Sequence, residues 1–78
     1  MTKENILYCL PNSERGLANA QRAVAATENE IEKTGNDGGK YAAEKIVLLR
    51  KKLQGQRLDV SDWGHEVNHL KEKLKLWQ

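Results

Sequence analysis

The sequence predicts an all-α protein, a small antiparallel helical bundle, and three observations predict it. In the second half, ten residues recur at alternating steps of three and four, the spacing that keeps one helix stripe against a packed neighbour. In the first half, Leu17, Ala20, Val24, Thr27 and Ile31 recur at the same steps. Between them, Gly35-Asn36-Asp37-Gly38-Gly39 is a turn signal, because glycine and asparagine tolerate positive φ.

The elements follow in order. Residues 1–11 are expected to be an N-terminal arm and residues 12–78 the helical bundle. Within the arm, Ile6-Leu7-Tyr8-Cys9-Leu10 can be a short strand, an extra turn or an apolar extension. The only proline, Pro11, precedes Asn12-Ser13-Glu14. Asn12 or Ser13 can accept from the orphan N–H groups of a helix start, and Glu14 suits the positive end of the helix dipole. Ala18, Ala23, Ala25 and Ala26 raise helix propensity. This helix is expected to end near Thr34.

The stripe of the second half comprises Ile46, Leu49, Leu53, Gln56, Val60, Trp63, Val67, Leu70, Leu74 and Trp77. Its apolar members from Ile46 to Leu74 are the expected core or dimer seam, and Gln56 is its single polar position. Two architectures satisfy the pattern. Gly55 can stop a helix and Asp59 can cap the next, with Asp62 three residues on and Leu58 and Trp63 placed as a hydrophobic staple. That gives three helices, the leading expectation. The unbroken phase favours the alternative, a hairpin with one long helix from about residue 40 to 77. In that hairpin the C-terminal half of the long helix would outrun the first helix, so Trp63, Val67, Leu70 and Trp77 would need a second chain. Val47, Leu48 and Leu76 lie off the stripe, and surplus apolar surface of this kind marks an interface. A homodimer is expected on both readings.

Composition narrows the functional classes. The chain has 78 residues, enough for one domain, and a single cysteine, Cys9, so no disulfide can form within it. Cys9 reads as a small apolar residue, and a free thiol fits a reducing compartment such as the cytoplasm. The net charge of +2 is too small to mark a nucleic-acid binder. No apolar run reaches the length of a membrane span or a secretory signal.

Three constellations can carry chemistry. His65-Glu66-Val67-Asn68-His69 resembles the H-E-x-x-H motif of the zincin metalloproteases, in which two imidazoles one turn apart hold zinc and the glutamate activates water. The resemblance would make His65 and His69 ligands and Glu66 the general base. It departs from the family in lacking a third zinc ligand, with no Gly-x-x-His following, and in placing Lys71 where an apolar residue belongs. Val67 and Leu70 own the stripe, which turns both imidazoles toward solvent. Hence no metal and no cofactor is expected. Arg50, Lys51, Lys52 and Arg57, with Lys40 and Lys45 upstream, form a basic cluster that can meet phosphates. Alternatively it is a solvated face near Glu28, Glu30 and Glu32. Trp63 and Trp77 fit the stripe as packing residues, and Trp77 also suits an interface.

The function expected is a non-catalytic helical protein–protein interaction module: an adaptor, a regulator or a small virus-encoded inhibitor of a host complex. Its expected partners are a second copy and a larger protein assembly, met through Arg50, Lys51, Lys52, Arg57, Leu48, Leu76 and Trp77. A nucleic-acid-associated regulator is the alternative, and a miniature zinc hydrolase ranks third.

Overall fold

A computed structural model describes residues 2–77; Met1 and Gln78, the outermost residues of the expected arm and bundle, lie outside them. Two helices, α1 (Lys3–Asp37) and α2 (Ala42–Lys75), pack side by side as a hairpin. The Cα envelope measures 58 × 14 × 13 Å, a rod two helices thick. Gly16 sits against Trp63 and Gly35 against Ile46, which fixes the helices as antiparallel. At the helical rise per residue, this register puts Val24 level with Gln56 and Thr27 level with Leu53.

Helix α1 starts nine residues before the expected start at Asn12, so the residues expected as an arm form its opening turns. Thr2 is the cap: its hydroxyl accepts from the N–H of Asn5 at 3.2 Å, and Glu4 lies in the first turn. Pro11 is inside the helix. It removes one backbone donor, yet it is exposed and sits off the packed stripe, so its ring meets solvent. The stripe itself runs through: Ile6, Leu10 and Ser13 extend the phase of Leu17, Ala20 and Val24 toward the N-terminus. Ile6 is 0% exposed and anchors these first turns. The helix ends at Asp37, where Gly38 takes φ 59° and its N–H donates to the carbonyl of Thr34 at 3.3 Å.

Helix α2 is continuous, so the expected break between Gly55 and Asp59 does not occur and the three-helix bundle gives way to the hairpin. The physical reason is the seam. Ala42, Ile46, Leu49, Leu53, Gln56, Val60, Trp63, Val67, Leu70 and Leu74 are all buried or half-buried in one phase. A break would forfeit that phase to satisfy one cap. Leu58, expected to clasp Trp63 in a staple, is instead 63% exposed.

The long helix does not outrun its partner either. Because α1 reaches back to Lys3, it covers the far half of α2, and Val67 and Leu70 are buried within one chain. They need no second chain. No described helix is long and apolar enough to cross a membrane.

Candidate interaction surface

A helix stripe built on steps of three and four has two edges, because alternate members lean to opposite sides of the line of contact. On α1, Leu10, Leu17, Val24 and Ile31 lean to one side, and Ile6, Ser13, Ala20, Thr27 and Thr34 to the other. On α2, Ile46, Leu53, Val60, Val67 and Leu74 join the first set, while Leu49, Gln56, Trp63 and Leu70 join the second. Two contacts fix this pairing. Ile31 and Leu53 line one cleft together, and the Trp63 ring covers Gly16 on the other side.

The two sides differ in kind. The first is aliphatic throughout; the second mixes Ile6, Leu49 and Leu70 with small, polar and aromatic residues. On α1 the second side is the more deeply buried: Ile6, Ser13, Thr27 and Thr34 are buried, whereas Leu10, Leu17, Val24 and Ile31 are half-buried. Trp63 seals the second side where it lies on Gly16, and the aliphatic side stays open.

Near the middle of α2 lies a cleft of about 670 Å³ lined by Glu28, Ile31, Arg50, Leu53, Gln54, Arg57 and Leu58. Ile31 and Leu53 form its apolar floor. Arg50 and Arg57 stand on one flank of α2, two turns and about 10.5 Å apart. Glu28 faces them from α1. A second cleft of about 280 Å³ at the loop brings Asp37 together with Lys40 and Lys45. Of the expected acidic neighbours of the basic cluster, Glu28 lines the large cleft with Arg50 and Arg57. The ammonium of Lys40 stands 5.6 Å from the centre of the Tyr41 ring.

The residues expected to bind a partner fall in three places. Arg50 and Arg57 share the large cleft. A helix turns about 100° per residue, so Lys51 points outward and Lys52 lies on the opposite flank. Leu48 is exposed on the outer surface, as are Val47 and Leu58. Leu76 and Trp77 lie at the far end of the rod, 83% and 52% exposed. His65 and His69 are exposed, and no group of three potential ligands gathers among the described residues. Cys9 is a half-buried free thiol on α1.

Sequence reasoning missed Glu28, Ile31, Gln54 and Leu58 as cleft residues. The signal was the seam of α1 once extended to Ile6, which separates the aliphatic edge from the small one. No family model, no curated protein and no solved structure matches the chain.

Proposed function

We propose that this chain is a non-catalytic helical protein–protein interaction module that works as a homodimer and docks on a larger protein. The observation that carries the reading is the surface it leaves open. The hairpin exposes 5997 Å², whereas a compact monomer of its 8.9 kDa mass would expose about 4,800 Å². The excess is of the order of one partner's share of a stable interface, about 800 Å². It includes half-buried aliphatic side chains that a lone globule would cover.

Docking on a larger protein draws on the outer face of α2. Val47, Leu48 and Leu58 are exposed there beside Lys51 and Lys52. From Lys45 to Leu58 the sequence has five cations and no carboxylate. Apolar side chains within a cationic field suit an acidic, amphipathic partner surface. The role fits an adaptor, a regulator or a virus-encoded inhibitor of a host complex. The exposure of His65 and His69 supports the non-catalytic reading, because no wall excludes water from them.

The same five cations favour a second reading, a nucleic-acid-associated regulator. They are spread around the helix rather than along one face, which weakens it. Two measurements test the pair. Purification of the native protein from its source cells is expected to retain a protein partner that a Leu48→Glu, Lys52→Glu variant loses. Titration against duplex DNA at rising salt is expected to show no specific binding; a steep salt-dependent affinity would reverse the order of the readings.

A further inference from the structure

We infer that a second copy of this chain covers the aliphatic side of the seam, forming a four-helix bundle with both loops at the same end. The inference rests on the homodimer reading and adds the face and the orientation to it. The face follows from burial. Leu10, Leu17, Val24 and Ile31 are half-buried on that side, as are Ile46, Val60 and Leu74, while Leu53 and Val67 between them are buried. The opposite side is already covered at Gly16 by Trp63. Burying the open aliphatic edge is the larger hydrophobic gain.

Charge agrees with the face. Along the aliphatic side, the flank of α1 carries Glu14, Gln21 and Glu28, and the flank of α2 carries Arg50, Arg57, Gly64 and Lys71. One flank is acidic and the other basic or small. A glycine at position 64 leaves the α2 backbone open to close approach, since an added Cβ would have no atom within 4 Å. On the other side the α2 flank is mixed, with Lys52 standing on it beside Asp59 and Glu66.

Charge also sets the orientation. A two-fold axis along the rod lays α1 of one copy against α2 of the other, in the register already set within each hairpin. Glu28 then meets Arg50 and Arg57 of the second copy, and Glu14 meets Lys71. A two-fold axis across the rod would lay α2 on α2, basic flank on basic flank, and α1 on α1, acid on acid. Like charges brought together at an interface oppose that arrangement.

The test uses two full-length variants. In one, Arg50→Glu and Arg57→Glu make both flanks acidic; in the other, Glu14→Lys and Glu28→Lys make both basic. By light scattering, the wild type is expected at the mass of two chains. Each variant alone is expected at one chain, its dissociation constant raised at least about tenfold, and an equimolar mixture is expected to recover two. If each variant alone remains dimeric, the face is wrong while the homodimer reading stands. A wild type of one-chain mass at high concentration overturns both. Should the reversals reduce helicity, chains carrying Glu28→Cys and Arg50→Cys, each with Cys9→Ser, are mixed and treated with a short bismaleimide. Cross-linking between them supports the face, and preferential cross-linking of an Ala23→Cys and Asp59→Cys pair overturns it.

Discussion

The indole of Trp63 lies face-on against the backbone of Gly16: a Cβ built there would stand 2.8 Å from Cε2 and 2.9 Å from Cδ2 and Cε3. Those distances are closer than real Cβ contacts allow. The glycine is therefore a seat for the ring, and its lack of a side chain lets the largest residue of the seam close the second side.

A Gly16→Ala variant follows directly. Alanine gains about 1 kcal/mol over glycine in a helix interior, but overpacking a fitted site costs about 1–3 kcal/mol. The ring is broad and rigid, so the cost is expected to win. Thermal and urea unfolding should show a net loss, with tryptophan emission shifted to the red as the ring is displaced. Gly55→Ala is the control. Gly55 is exposed and its added Cβ would meet nothing within 4 Å, so that variant should gain close to the full propensity difference. Two substitutions of the same chemistry are thus expected to move stability in opposite directions. A gain in both would show that Trp63 does not rest on Gly16.

Pro11 gives a test of where α1 begins. In a helix interior a proline removes the hydrogen bond to the carbonyl four residues back, here that of Leu7, and crowds it. Pro11→Ala should restore that bond and stabilise the chain by about 1–3 kcal/mol. Were the helix to start at Asn12 behind a loose arm, the same change would leave the urea midpoint nearly unmoved. Hydrogen exchange adds a second readout, since the amides near Leu10 should become more protected in the variant.

The two helices were unequally legible, for physical reasons. The seam of α2 could be read outright, because a large apolar side chain fills nearly every position and the phase never slips. The cap at Asp59 and the pairing of Leu58 with Trp63 were real local preferences, but small beside a seam running the length of the rod. In α1 the stripe holds Ser13, Ala20, Thr27 and Thr34, so little hydrophobicity marks it, and Pro11 stood where the phase had to be followed. Leaving Ile6 and Leu10 outside the helix has a consequence at the other end, since it strips Trp63, Val67, Leu70 and Trp77 of a cover that α1 in fact provides for Val67 and Leu70. The cleft was harder still. It depends on how two separate stripes are paired, and that pairing is fixed by contacts such as Trp63 on Gly16, which belong to no single stretch of chain.

Gln56 is the polar interruption of the α2 seam, and its Oε1 is buried without a hydrogen-bond partner among the described residues. A buried acceptor left unpaired costs about 1–3 kcal/mol. Gln56→Leu removes that cost, matches the apolar phase on both sides and keeps a strong helix former, so it should stabilise the hairpin by about 1–2 kcal/mol. The urea midpoint checks this. A polar residue at one seam position also penalises sliding, since any shift carries it against other apolar groups. The leucine variant should accordingly be more stable and less singular, with light scattering showing a broader range of assembled masses than the wild type. A loss of stability instead would mean that Oε1 finds a donor in solution, from an ordered water or a second chain, and would turn Gln56 from a register device into a contact.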